Sequence, residues 1–376
     1  MNLPDIAPLS TVRNGPVIWR AEQVARIDPH WPAPDLISDD DFQRLGPDLD
    51  MWDAWPIQLA DGCPAAFDDG ATLWMALTSR RFSDPNERHG HARINLIRHD
   101  DAGWRDLGPV MPDGFSPGSR EWSGSAVLAD DGCTVQLYFT AAGRRGEARV
   151  SFEQRLFMAK ATLQHSRLIN WRDLREIVQP DPAHYMASNA GSGAVGTIKA
   201  FRDPAYFRDP ADGRHYLFFA GSKAGSGSPF NGVIGAATAS PQQPTQWELL
   251  EPLVSAEALN NELERPHVVF ANSMYYMFWS TQSQVFNPDG PQGPTGLYGM
   301  VSSSLSGRWQ PLNGSGLVFG NPAAAPRQAY SWLVLPDQSV ISFVDQWGPT
   351  GGAVRFGASF APRLQLKLTG SEARLV

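Results

Sequence analysis

Cysteine is almost absent: 376 residues contain only Cys63 and Cys133. Two cysteines cannot build a disulfide framework, and these two lack the paired spacing of a metal-binding motif. Positive charge is also short. Lys plus Arg number 31 against 39 Asp plus Glu, a formal net charge of -8. That deficit argues against a nucleic-acid partner, because polyanion binding needs a surplus of cations to displace phosphate counterions. Hydrophobic residues make up 42% and charged residues only 19%, a balance that supports a sizeable core and excludes a disordered chain. No run approaches the roughly 18 consecutive apolar residues of a membrane span. The opening stretch MNLPDIAPLS carries an acid and two prolines, with no basic region followed by an apolar one, so no secretory signal peptide is visible. The expectation is a soluble protein without a membrane partner, cytoplasmic or exported by a route independent of a signal peptide.

Sustained helical periodicity is scarce too, the best candidate being the short RAEQVAR at 20–26. What is plentiful is Gly (35) and Pro (31), with no collagen period and no low-complexity tract, as many tight turns between short strands require. Strand-like runs recur throughout: TLWMAL at 72–77, TVQLYFTA at 134–141, YLFFAG at 216–221, YYMFWS at 275–280 and SVISFV at 339–344. They are β-branched and aromatic and are bounded by Gly, Asp, Asn or Pro. The chain reads as all-β, with no linker that would divide it.

A longer repeat organises these runs. Trp-x-x-Leu follows a strand and a polar turn four times, at Trp104–Leu107, Trp171–Leu174, Trp247–Leu250 and Trp309–Leu312, at intervals of 62–76 residues. A unit of that length with several strands suits a propeller blade carrying long loops. Four such units plus the strands near 328–369 predict a five-bladed β-propeller over residues 1–376, with about the first 45 as a wrapping segment.

Four segments interrupt this texture with acids, aromatics and arginine: MWDAWP at 51–56, EWSGSA at 121–126, FRDPAYF at 201–207 and NELERPHV at 261–268. Their anchors Asp53, Trp122, Asp203 and Glu264 lie 61–81 residues apart, about one blade each. In a propeller, equivalent positions of successive innermost strands converge on the axis, so these segments are expected to meet in one central funnel-shaped active site. Carboxylates beside tryptophan platforms and a fixed arginine suit glycosidic bond cleavage: one attacks the anomeric carbon, and a second, its pKa raised, protonates the leaving oxygen. Each residue alone has a plainer reading. Asp53 is also compatible with a turn acid, Asp203 with an Asp-Pro turn and Glu264 with an ion pair to Arg265. Ser123 lacks the G-x-S-x-G spacing of a nucleophile elbow, and His89 and His91 in HGH are expected in a solvated loop.

Together, WDAWP, EWSGSA, FRDP and ELERP closely resemble the levansucrase and inulosucrase family of bacterial fructosyltransferases, which also contains β-fructofuranosidases. The resemblance runs from about residue 15 to 365. It implies a five-bladed β-propeller acting on sucrose with retention at fructose. It further implies that Asp53 is the nucleophile, Glu264 the acid/base and Asp203 the stabiliser of the oxocarbenium-like transition state. By the same matching, Trp52, Trp122, Ser123, Arg202, Glu262 and Tyr330 (in AYSW) shape the fructosyl and neighbouring glucosyl sites. The chain holds two FRDP copies, 201–204 and 207–210; the pattern places the stabiliser in the first and leaves Asp209 in a surface hairpin.

Three departures limit the match. Eighteen residues after the acid/base, where the family commonly has Arg or His, stands Gln282, an uncharged donor and acceptor at the acceptor side. FFAG places Ala220 where a Glu is frequent, so Arg202 needs another brace. Asn261 replaces an Asp that helps hold calcium in some members, so no metal and no cofactor are expected. Gram-negative members without a conventional signal peptide make an extracellular location the expectation. The leading reading is a retaining fructosyltransferase that passes fructose from sucrose to water, sucrose or growing fructo-oligosaccharide. Plain sucrose hydrolysis is the alternative, and a non-catalytic sugar-binding propeller comes behind both.

Overall fold

Apolar runs and alternating runs settle at different depths. Runs such as TLWMAL and YLFFAG form strands buried on both faces, while Gly103–Pro109 and Arg167–Val178 alternate and show one face to solvent. The computed structural model describes residues 15–67, 69–187, 198–347 and 355–376. Among these, one short α-helix, α1 (Ala21–Val24), occupies the RAEQVAR segment and almost everything else regular is strand. No helix among the described residues is long and apolar enough to cross a membrane.

After β1 (Val17–Ile18), the strands come in antiparallel arrays. The first comprises β2 (Leu49–Gln58), β3 (Thr72–Arg80), β4 (Arg93–Asp100) and β5 (Gly103–Pro109), and the second β6 (Arg120–Leu128), β7 (Thr134–Ala142), β8 (Gln154–Gln164) and β9 (Arg167–Val178). A third runs β10 (Phe201–Arg208), β11 (His215–Ser222) and β12 (Gly232–Ala239), with β13 (Glu248–Leu249) and β14 (Val254–Ser255) both on β12. The fourth repeats that plan with β15 (Glu264–Ala271), β16 (Met274–Thr281) and β17 (Gly296–Ser302), the last carrying β18 (Gln310–Pro311) and β19 (Leu317–Gly320). The chain ends with β20 (Ala329–Val334), β21 (Ser339–Val344), a ribbon of β22 (Gln346–Trp347) and β23 (Arg355–Phe356), then β24 (Leu364–Thr369) and β25 (Glu372–Leu375).

The first strands of the arrays touch in a cycle. β2 contacts β6, β6 contacts β10, β10 contacts β15, β15 contacts β20, and β20 returns to β2. Only β2 and β6 pair formally, in parallel at Ile57↔Ala126; elsewhere side chains fill the contact. Each Trp-x-x-Leu copy marks the strand outside the third strand of its array. Trp104 lies in β5 and Trp171 in β9, while Trp247 immediately precedes β13 and Trp309 immediately precedes β18.

Residues 17–44 run around the outside. β1 adds in parallel to β14, Trp31 Nε1 donates to the Asn321 carbonyl at 3.0 Å, and Arg44 Nη1 donates to the Gly357 carbonyl at 2.8 Å. Trp19, fully buried, packs edge-on against Trp279 and Tyr298 at 5.3 and 5.2 Å, pairs worth about 0.5–1.5 kcal/mol each beyond their area. The segment therefore bridges the third, fourth, fifth and first arrays.

Candidate active site

Each first strand carries a one-residue irregularity at the same place. The register against the second strand slips between Trp52 and Trp55, Trp122 and Gly124, Arg202 and Ala205, Glu264 and His267, and Tyr330 and Leu333. In four of them the residue entering the bulge has a left-handed backbone: Asp53 (φ 49°), Asp203 (φ 64°), Arg265 (φ 49°) and Ser331 (φ 61°). Such conformations cost non-glycine residues about 1–3 kcal/mol and persist where the surroundings enforce them. A bulge re-aims a side chain and sharpens the local twist. Here it exposes two successive residues of each strand to one cavity instead of alternating them across the sheet.

The result is two tiers of five. Trp52, Trp122, Arg202, Glu264 and Tyr330 form one, and Asp53, Ser123, Asp203, Arg265 and Ser331 the other; all ten line a single cavity enclosing about 910 Å³ including its open mouth. Glu262, just before β15, and Gln282, just after β16, line it too. Every site residue expected from the sequence is thus brought together. One correction concerns register: Trp122 and Glu264 are not equivalent to Asp53 and Asp203 but stand one residue earlier, because the bulge residue is the true structural counterpart.

The bulged backbones are satisfied across strands, as buried amides must be. Thr140 Oγ1 accepts from the Asp203 amide at 2.9 Å and donates to the Ser123 carbonyl at 3.1 Å. Ser125 Oγ likewise joins β6 to β10 through the Pro204 carbonyl and the Tyr206 amide. Arg265 reaches over the ring, donating from Nη2 to the Ala54 carbonyl at 2.7 Å and from Nη1 to Ser331 Oγ at 2.8 Å.

The carboxylates have unequal surroundings. Asp53 Oδ2 accepts from Ser123 Oγ at 2.7 Å, and among the described residues no donor engages Oδ1. Glu264 is gripped on both oxygens, by Arg202 Nη2 at 2.9 Å and by the Tyr330 hydroxyl. Asp203 and Arg202 are 6% and 5% exposed, so Asp203 is ionised only at a cost. Burial, opposed by Arg202 and reinforced by Glu264 and Asp53, raises it to about 7. Glu262 is pushed up by burial and by Glu264. Four carboxyls facing few cations cannot all ionise, so the cluster keeps a proton near neutrality that an isolated carboxylic acid would have lost. Burial also pushes the Tyr330 hydroxyl well up, keeping it a donor.

Ala220 lies opposite Arg202 in the β10–β11 register. The brace is supplied instead by Glu264, with Glu262 Oε2 and Asp203 Oδ2 each at 3.7 Å. Asp209 does sit in the β10–β11 hairpin, but it is buried rather than on the surface, accepting from the Tyr275 hydroxyl at 2.6 Å. Cys63 and Cys133 are both free thiols.

His89 departs from the solvated-loop expectation. It lines the cavity, and burial and the neighbouring Arg88 lower it to about 4, so it is a neutral ring. Its carbonyl accepts from Trp122 Nε1 at 3.3 Å. His91 is exposed and stacks on Phe82 at 4.7 Å. Sequence reasoning also missed Arg88, whose guanidinium lies 4.1 Å over Phe356 and 5.5 Å from the Trp52 ring, and Asp345, another wall residue. Both sit in connections between strands, where only the arginine–acid chemistry itself offered a signal.

A tryptophan-walled cavity holding one hydrogen-bonded carboxylate with a free oxygen, a second carboxylate on an Arg–Tyr clamp and a third kept partly protonated defines a carbohydrate-processing enzyme of the two-carboxylate kind. The chain belongs to the Levansucrase/Invertase family, which it matches over residues 15–231 and 226–376. It is 31% identical to a levansucrase of Rahnella aquatilis, over 95% of this chain and 94% of the relative. The structure superposes on inulosucrase from Halalkalicoccus jeotgali bound to kestose with a TM-score of 0.85 and 33% identity, covering 96% of this chain and 95% of the other. It also superposes on levansucrase from Gluconacetobacter diazotrophicus with a TM-score of 0.81 and 23% identity, covering 96% and 90%.

Proposed function

We propose that the protein is a retaining fructosyltransferase that splits sucrose and passes the fructosyl unit to water, sucrose or a growing fructo-oligosaccharide. The observation that carries this is the meeting of Asp53, Asp203 and Glu264 around Arg202 in one cavity. Family membership and the likeness to a levansucrase and to a kestose-bound inulosucrase support the substrate. The closed cycle of first strands supports a five-bladed β-propeller, with the cavity as the mouth of its central funnel.

Asp53 Oδ1 attacks the anomeric carbon of the fructosyl unit, forming a covalent ester as the bond to the glucose oxygen breaks. Glu264 gives its proton to that oxygen, and glucose leaves. In the second step Glu264 takes a proton from water or from a sugar hydroxyl, whose oxygen then displaces Asp53. Asp203 holds fructose hydroxyls as positive charge develops at the anomeric carbon, while Ser123 keeps Asp53 aligned. Trp52 and Trp122 offer flat apolar faces to the sugar rings. Gln282 and Glu262 face the glucosyl or acceptor side, and the same site accounts for transfer and hydrolysis, which differ only in the second nucleophile. An extracellular location completes the proposal.

The test is incubation with sucrose while glucose and free fructose are followed separately. Glucose in excess of fructose establishes transfer, equal amounts establish hydrolysis, and neither product refutes the substrate.

A further inference from the structure

Lys199 stands two residues before β10, and its ammonium is saturated. It donates to Asn231 Oδ1 at 2.9 Å, to Asn261 Oδ1 at 2.6 Å and to the Pro229 carbonyl. An ammonium has three donors, and all three are used. The acceptors belong to different approaches to the ring: residues 229–231 lead into β12, and Asn261 leads towards β15. One side chain therefore fastens three separate stretches of chain.

The contacts continue inward. Asn261 Nδ2 donates to Glu262 Oε1 at 3.4 Å, Glu262 Oε2 lies 3.7 Å from Arg202 Nη2, and that nitrogen donates to Glu264 Oε1 at 2.9 Å. Lys199 is thus linked to the clamp on the acid/base through Asn261, Glu262 and Arg202. Burial lowers the affinity of Lys199 for its proton, against which Glu262 favours the ammonium; Lys199 in turn favours the Glu262 carboxylate, against the burial that pushes Glu262 up.

Oxygens converging on one positive centre are the arrangement by which a hard cation is held. The calcium of some relatives does not fit here. Asn261 supplies no charge, its Oδ1 is already engaged, and an ammonium in the same cage repels a divalent ion. We infer that Lys199 is this protein's resident cation, a positioning residue that ties the approaches to β10, β12 and β15 together and steadies the Glu262–Arg202–Glu264 clamp where a metal would otherwise be needed.

Lys199→Met and Lys199→Arg variants test this, together with calcium chloride and EDTA on the wild-type protein. Wild-type melting temperature should be the same in both additives. Lys199→Met removes a cation from the carboxyl cluster, so the cluster holds its last proton to higher pH. The alkaline limb of kcat/KM for sucrose should move up by about half a pH unit or more, and Lys199→Arg should restore it. A role confined to packing lowers the melting temperature without moving that limb. An unmoved limb in Lys199→Met, or a wild-type melting temperature raised by calcium and lowered by EDTA, overturns the inference. The turnover measurement rests on the sucrose reading, whereas the melting comparison stands without it; wild-type sucrose cleavage, assayed alongside, separates the two failures. If Lys199→Met does not fold, the wild-type comparison decides.

Discussion

Ser123 on β6 donates its hydroxyl hydrogen to Asp53 on β2 at 2.7 Å, joining two bulge residues that are neighbours in the ring and 70 positions apart in sequence. The bond fixes one oxygen of the proposed nucleophile and leaves the other for attack. Asp53→Asn should lower sucrose cleavage by on the order of 10³-fold or more, since the first covalent step disappears. Ser123→Ala should cost about 10–100-fold, the worth of a hydrogen bond to a charged group. Both should melt within a few degrees of the wild type. Substantial turnover by Asp53→Asn would remove Asp53 from its role.

Glu264 has the opposite situation, with both oxygens held. Glu264→Gln should suppress sucrose cleavage yet spare a fructosyl donor whose leaving group needs no proton, such as a fructosyl fluoride. Equal losses on the two donors would count against the acid. Tyr330→Phe frees one of the two held oxygens of Glu264, so sucrose cleavage should fall about 10-fold or more, the worth of a hydrogen bond to a charged group. Unchanged turnover would mean that the tyrosine does not hold Glu264 in place.

Much of this was legible before folding. The strand-like runs became buried strands, and the Trp-x-x-Leu copies became outer strands, because both signals are local: residue type and turn chemistry suffice. WDAWP, EWSGSA, FRDP and ELERP converge as their order and spacing imply. What the residues could not disclose was the one-residue offset between Asp53 and Trp122, since a bulge is a backbone event with no fixed letter. Arg88, His89 and Asp345 were hidden for another reason. They lie in connections, Arg88 and His89 between β3 and β4 and Asp345 between β21 and β22, and only the last of them reaches the cavity by the meeting of the first and last arrays. Asp209 looked like a surface turn because nothing nearby in sequence announces Tyr275.

Gly124 shows how tightly the offset is specified. A Cβ there would stand 1.9 Å from the Tyr138 carbonyl oxygen, and β7 backbone cannot yield without breaking the sheet. Gly124→Ala should lower stability by about 1–3 kcal/mol, the usual cost of overpacking, and reduce turnover more than tenfold by displacing Ser123. Because both act through one contact, Ser123→Ala added to Gly124→Ala should cost little further activity. Fully additive losses would show that Gly124 acts by another path.

His267 makes stability depend on acid. Its ring is buried; Nδ1 faces the Arg265 carbonyl at 3.0 Å and donates, while Nε2 accepts from the Val334 amide at 2.9 Å. That pairing requires the neutral tautomer, and burial lowers the ring to about 4 from an ordinary 6.5. Between those values the unfolded chain binds more protons than the folded one. Stability should therefore be full above pH 6.5, fall by up to about 1.4 kcal/mol per pH unit as pH drops towards 4, and level off below. Melting scans of wild type and His267→Gln should differ in slope across that window; parallel scans would exonerate the histidine.

Gln282 sets the last prediction, because the proposed mechanism puts it on the side where glucose leaves and an acceptor sugar enters. It lines the cavity beyond β16, with its Oε1 engaged by Gln284 Nε2. In the proposed mechanism an uncharged amide already held by a neighbour offers an incoming sugar a weaker grip than a charged group would, which favours water as the competing acceptor. Gln282→Arg supplies a charged fork whose hydrogen bonds are roughly twice as strong. A gain of about 1 kcal/mol in acceptor binding shifts the partition roughly fivefold towards transfer. The measurement is the ratio of glucose released to free fructose at fixed sucrose, which should rise, while the rate of glucose release itself changes little. If instead glucose release falls and the ratio stays constant, Gln282 belongs to donor binding and the acceptor is held by another wall.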